Sequence, residues 1–140
     1  MERTLAILKP DSVAAGKAGA IIAKLQDEGF VVRGIKMLRL TDGQAKAFYE
    51  VHKERPFYGS LVEFMTSGPV VPLALERTNA VAHLREVMGA TDVAEAAPGT
   101  IRNLFGTSIE RNAIHGSDSP ENAAIELSFF FSRAELLAAQ

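Results

Sequence analysis

Along the chain the hydrophobic pattern switches repeatedly between a strand-like and a helix-like period. Thr4 to Leu8 predicts a buried strand, ended by Pro10, which has no N–H to donate. Ala18, Ile21, Ile22 and Leu25 recur at i, i+3, i+4 and i+7 and make one apolar helix face, with Gly29 as the C′ residue. Phe30 to Leu40 is rich in Val, Ile and Leu and predicts a second strand. Thr41 and Gln44 form a capping-box pair, after which Ala45, Phe48, Tyr49 and His52 share a helical face as far as Pro56. A short helix follows with Leu61, Phe64 and Met65 inward, and Gly68-Pro69 ends it.

Val70 to Leu75 predicts a third strand, in which Pro72 points to an edge or a bulge. Thr78 is the expected cap of a helix with Val81, Leu84 and Met88 inward. From Gly89 to about Arg111 no period holds, and long loops of this kind usually carry function. A brief strand falls around Ala113-Ile114. Ser119-Pro120-Glu121 then supplies an N-cap, Pro at N1 and an acid in the first turn of a helix running to about Phe131. Ser132 caps a last short helix with Leu136 and Leu137. Without the helical hairpin and the tail, the order is βαββαβ. This predicts an α+β, ferredoxin-like fold: an antiparallel four-stranded sheet with helices packed on one face, an inserted helical hairpin and a long loop before the last strand. No repeat or linker divides residues 1–140, which are expected to form a single domain.

Composition narrows the function classes. The chain lacks cysteine, which excludes disulfides, iron–sulfur clusters and thiolate zinc sites. Fifteen Lys and Arg against seventeen Asp and Glu give a formal charge of −2, whereas a generic nucleic-acid or membrane binder carries a basic excess. The first apolar run, Leu5 to Leu8, is too short for a signal-peptide core of about 7–15 residues. No stretch approaches the roughly 18 apolar residues of a membrane span, and a cytoplasmic location is expected.

Candidate chemistry concentrates in Arg111 to Ser119. No G-x-x-x-x-G-K-[ST], G-x-G-x-x-G or G-x-S-x-G motif is present. His52, His83 and His115 lack the spacings of a metal site. By local spacing alone, Gly116-Ser117-Asp118-Ser119 is turn chemistry leading into an N-cap, with His115 a bystander. Alternatively, His115 is a nucleophile. Neutral imidazole has a free lone pair that can attack phosphorus, and Gly116 lets the backbone come close to the phosphate.

Seven blocks decide between these readings. They are Thr4 to Asp11, Phe48 to His52, Arg55 to Tyr58, Met65 to Val71, Met88 to Thr91, Pro98 to Arg102 and Asn112 to Ser119. In this order, from Glu2 to Phe131, the chain resembles the nucleoside diphosphate kinases. The resemblance implies a phosphotransferase in which His115 takes the terminal phosphoryl group of a nucleoside triphosphate and gives it to a nucleoside diphosphate. It implies that Glu126 orients that histidine, directly or through Ser117. It places Lys9, Tyr49 and Asn112 near the transferring group and the ribose hydroxyls. Arg85, Thr91 and Arg102 match the binders of the remaining phosphates. Phe57 and Ile109 match the pair that sandwiches the base, with Leu61 beside them. Mg²⁺ is implied, held by the nucleotide phosphates without direct protein ligation.

The resemblance also implies a homo-oligomer built from dimers, a tetramer or a hexamer. Taken singly, Tyr49 reads as core, Phe57 as turn packing, Arg85 and Arg102 as solvated charges, and Glu126 as an exposed helix residue. The chain departs from the family pattern at Arg77, where a glycine is lost, at Asp92-Val93, and at Leu104, which replaces an acid. These positions bear on loop geometry and subunit contacts. Two alternatives stand beside the enzyme: an RNA-binding module of the same βαββαβ order, and a catalytically inactive paralogue kept for interaction.

Overall fold

The computed structural model of the chain describes residues 1–139. In order, the elements are β1 (Glu2–Leu8), α1 (Pro10–Ala14), α2 (Ala18–Asp27), β2 (Val31–Ile35), α3 (Asp42–Phe48), α4 (Tyr58–Met65), β3 (Val71–Arg77), α5 (Ala80–Met88), α6 (Ile101–Phe105), β4 (Ile114–Gly116), α7 (Pro120–Phe130) and α8 (Arg133–Ala138). Single 3₁₀ turns lie at Glu50–His52 and Val93–Glu95. The sheet order is β2-β3-β1-β4, with every neighbouring pair antiparallel, so the expected α+β architecture is present.

Helices on a single face were the expectation, but they cover both. Alternate residues of a strand point to opposite faces. On one face Ala6, Leu8, Leu73 and Leu75 pack with Ile21 and Leu25 of α2 and with Leu84 and Met88 of α5. On the other, Leu5, Ile7 and Ala74 pack with Ala45 and Tyr49, with Phe64 and Met65 of α4, and with Leu127 and Phe130 of α7. A strand buried on both faces reads as an unbroken apolar run, which is the pattern of β1.

Pro72 corrects the edge-strand expectation, because β3 is interior. Its carbonyl accepts from Lys36 N–H at 3.1 Å, but it has no N–H with which to return the bond. Pairing therefore lapses here. The second strand ends at Ile35 instead of Leu40, beyond which only an isolated bridge joins Leu38 to Val70. The expected cap at Thr78 is also wrong. The N-cap of α5 is Asn79, at φ +57°, without a side-chain cap bond. Instead, Glu2 Oε1 accepts from Val81 N–H at 2.7 Å, a cap delivered from another element. The aperiodic stretch from Gly89 contains α6, started by Thr100, whose hydroxyl accepts from Asn103 N–H. Five residues are too few to show a period. Pro10 occupies the first turn of α1 as well as ending β1.

Several local signals hold as expected. The Thr41–Gln44 capping box, the Ser119 cap of α7 and the Ser132 cap of α8 are all present. Arg77 donates to the Glu28 carbonyl and lies over the Phe30 ring at 5.5 Å, tying the end of β3 to the end of α2. Among the described residues no helix is long and apolar enough to cross a membrane.

Candidate active site

His115 is the middle residue of β4 and pairs with Ile7 of β1. Its ring enters the face covered by α3 and α7, where the Phe48 and Tyr49 rings stand edge-on to it at 5.5 and 6.2 Å. Nε2 lies 2.8 Å from Glu126 Oε1, and Ser117 Oγ donates to that same oxygen at 2.8 Å. An ionised carboxylate only accepts, so the imidazole proton is assigned to Nε2 and the lone pair to Nδ1. Glu126 can reach because Ser119 starts α7 and helical side chains lean toward the N-terminus. The His115 side chain keeps 21% of its surface exposed, which leaves the ring open to a ligand.

One unpaired donor lies against this ring. The Tyr49 hydroxyl is buried without a partner among the described residues. Burial, then the Glu126 charge, pushes its pKa up, so it remains a neutral donor. Lys9 follows β1 and is buried; its Nζ donates to Asn112 Oδ1 at 2.9 Å and to the Glu110 carbonyl at 3.1 Å. Burial, reinforced by the Arg102 charge and opposed by Asp11 and Glu110, lowers its pKa from 10.5 to about 8.

Asn112 connects this lysine to a cavity of about 470 Å³, through an Nδ2 bond to the Thr91 carbonyl at 3.1 Å. Arg85, Thr91 and Arg102 line the cavity, with Glu86, Glu95 and Thr100. His115 lies outside the lining, but Arg102 bridges the gap. Its guanidinium donates to the carbonyls of Gly89 at 3.0 Å and Ile114 at 2.8 Å, on the free edge of β4. Its buried Nε has no partner. Burial, then Arg85, lowers the Arg102 pKa to about 10. The neighbouring departures are local: Asp92 caps the 3₁₀ turn that begins at Val93, and Leu104 is exposed.

Phe57 and Ile109 are 47% and 61% exposed. Phe57 precedes α4, and Ile109 sits in the loop that Ser60 Oγ ties to α4 through Glu110 Oε2 at 2.8 Å. Leu61 is half-buried on the same helix. His52 packs on Phe57 at 5.5 Å, and His83 pairs with Glu28 at 3.3 Å; neither joins His115.

Gly116 is a correction. Its open side faces α5, on the other face of the sheet from His115. A β-carbon there would lie 2.5 Å from Met88 Sδ and 3.0 Å from Leu84 Cδ2. Close packing of α5 on β4 requires the glycine, so its missing side chain is explained by that packing and not by an approach to phosphate. Sequence reasoning also missed Phe48, which abuts His115, and Ala113, whose φ of +75° is rare for a residue with a β-carbon. Phe48 was legible as the neighbour of Tyr49 on one helix. Ala113 left no signal.

A histidine with one nitrogen held and one free, with a buried lysine and a neighbouring cavity lined by two arginines, has the chemistry of an enzyme that moves phosphoryl groups. The family model for nucleoside diphosphate kinase matches residues 2–136. The chain belongs to the nucleoside diphosphate kinase family. It is 61% identical over 138 residues to a nucleoside diphosphate kinase of Chloroherpeton thalassium, covering 99% of this chain and 98% of that one. It is 58% identical over 137 residues to that of Chlamydia abortus, with 98% and 97% covered. The solved Aquifex aeolicus nucleoside diphosphate kinase superposes with a TM-score of 0.93 at 49% identity, over 96% of this chain and 97% of that one. A halophilic enzyme from Halobacterium salinarum, solved in complex with CDP, gives 0.92 at 40% identity, over 96% and 90%. The chain is an enzyme of phosphoryl transfer between nucleotides. These likenesses support that reading over an RNA-binding module or an inactive paralogue.

Proposed function

We propose that His115 carries the phosphoryl group between two nucleotides in a ping-pong cycle. The Nδ1 lone pair attacks the terminal phosphorus of a nucleoside triphosphate. An N–P bond forms, the bond from phosphorus to the bridging oxygen breaks, and the diphosphate leaves with the electron pair. A second diphosphate then attacks the same phosphorus and restores the imidazole. The observation that carries this reading is the 2.8 Å contact between His115 Nε2 and Glu126, which keeps Nδ1 free and stabilises positive charge developing on the ring.

Lys9, the Tyr49 hydroxyl and Asn112 face the transferring group, and Arg85, Thr91 and Arg102 hold the remaining phosphates. The orphaned Tyr49 hydroxyl and Arg102 Nε support this, since a buried donor without a partner is costly until a ligand supplies one. Lys9, Arg85 and Arg102 offset about three negative charges. That cationic donor set suits phosphate oxygens rather than a metal cation, so Mg²⁺ is carried by the nucleotide's own phosphates. When bound, it neutralises phosphate charge.

Phe57 and Ile109 grip the base through its π surface, which every base has. With γ-labelled ATP and a mixture of unlabelled diphosphates, label should reach every common nucleoside within about tenfold. Phe57→Ala should raise KM for purine and pyrimidine diphosphates alike, by about tenfold, with kcat little changed. A strong preference for one base, or an unchanged KM, rejects the clamp. The CDP complex of the Halobacterium salinarum enzyme supports a nucleotide as ligand. The exposed apolar residues Val31 and Ile35 of β2, with Met37 just beyond it, support a subunit contact, within a tetramer or hexamer built from dimers. A cytoplasmic location, where nucleotide pools are held, completes the proposal; it includes no specific nucleic-acid partner.

Glu126→Ala should slow single-turnover phosphorylation on the order of 10- to 100-fold, the worth of one charge-assisted hydrogen bond to the ring. Rapid-quench measurement on the folded variant checks this. A wild-type rate reduces Glu126 to a helix residue.

A further inference from the structure

Ala113 holds its positive φ inside a γ-turn: Ile114 N–H donates to the Asn112 carbonyl at 2.9 Å, and φ at the central residue is +75°. This form of the turn is rare and strained, and it persists only where its surroundings over-determine it. One segment grips both polar groups of Ala113. Asp11 Oδ2 accepts from its N–H at 3.1 Å. Ser12 Oγ and the Lys9 N–H donate to its carbonyl at 2.8 and 2.9 Å. Ser12 is buried, and Ala113 is fully so.

The turn solves a problem of parity. Asn112 and His115 are an odd number of residues apart, and in an extended strand they would point to opposite faces. Yet Asn112 bonds Lys9, which continues the parity of Leu5 and Ile7, and His115 projects onto that same face. The left-handed residue between them makes both placements possible.

We propose that Asp11 and Ser12 are positioning residues for phosphoryl transfer, holding the turn at Ala113 and through it the placement of Asn112 and Lys9 beside His115. The inference rests on His115 being the phosphorylated residue. Its test is the single-turnover labelling of His115 at saturating ATP, in Asp11→Ala, Asp11→Asn and Ser12→Ala, each with and without Ala113→Gly. Asp11→Ala should slow labelling about 10- to 100-fold, since small misplacements of reacting groups cost this much. Asp11→Asn should stay within about threefold of wild type, because an amide oxygen still accepts the Ala113 N–H although the charge is gone. Glycine adopts positive φ without help, so in the Ala113→Gly background the Asp11→Ala loss should shrink at least about fivefold.

An Asp11→Asn variant as slow as Asp11→Ala overturns the proposal, because Asp11 would then act by its charge on Lys9. So does an Asp11→Ala loss of equal size in both backgrounds. Should circular dichroism show Asp11→Ala unfolded, Ser12→Ala with and without Ala113→Gly carries the same comparison: a slowed rate relieved by glycine supports the clamp, and an unrelieved or absent loss overturns it. Wild-type protein that takes no label on His115 defeats the underlying reading, whereas labelled wild type beside an equally fast Asp11→Ala defeats the positioning alone.

Discussion

His115→Ala should take up no phosphoryl group from γ-labelled ATP, and its steady-state transfer should fall on the order of 10⁴-fold or more. No neighbouring group replaces the lost nitrogen. Glu126 is a carboxylate whose Oε1 is already shared with Ser117, and Tyr49 stays protonated because burial raises its pKa. The variant should fold. The pairing of β4 with β1 is made by backbone; the ring removed is edge-packed against Phe48 and Tyr49 and bonded to Glu126, whose carboxylate keeps Ser117 as a partner. In the wild type the label should be stable to base and lost in acid, as for a phosphoramidate. Two-substrate kinetics should give the parallel lines of a ping-pong scheme. Retained labelling in His115→Ala, or intersecting lines, removes His115 from the role.

Lys9→Met should lower kcat/KM by about 10²- to 10³-fold, the usual cost of a missing donor to developing charge. Its thermal midpoint should fall little or even rise. Folding drives the Lys9 pKa down from 10.5 to about 8, so its charge is held at a cost of roughly 3 kcal/mol near neutral pH. Methionine fills similar volume without that charge. The wild type should also show two opposite pH trends. Between about pH 8 and 10.5 the unfolded chain binds the proton that the folded protein has lost, so Lys9 makes stability rise with pH across that window. Over the same rise kcat/KM should fall, because uncharged Lys9 no longer attracts phosphate. A bound triphosphate favours the charged lysine, so kcat should resist the change further than kcat/KM. Denaturant titrations and initial rates from pH 7 to 10.5 check both. An alkaline limb that persists in Lys9→Met rejects the assignment.

What could be read from the chain alone was whatever acts within about one turn or one strand. Helix starts at Thr41, Ser119 and Ser132 were legible because a cap and its partner lie three residues apart. The run from Thr4 to Leu8 announced a buried strand, although the cover on its second face was not expected from the order of elements. His115 and Glu126 were legible only through ordered blocks that resemble a family. Singly, a histidine in a turn and a glutamate on a helix carry no such meaning.

Contacts across long stretches of sequence were decided by the tertiary structure. Glu2 caps α5 from 79 residues away, which no local pattern around Thr78 could announce. Pro72 stands in an interior strand because its missing N–H faces the place where β2 stops. Gly116 belongs to the packing of α5 because neighbouring strand residues face opposite sides, and its side is not that of His115. The lowered pKa of Lys9 needs burial beneath Asn112 and the nearness of Arg102, brought together from more than 90 residues along the chain. Periodicity and capping are written in short-range backbone geometry, so the sequence determined the longer elements and their order, while the short helices α1 and α6 left no period to read. Burial, strain at Ala113 and the electrostatics of the pocket arise only when distant segments exclude water together, so the fold decided them.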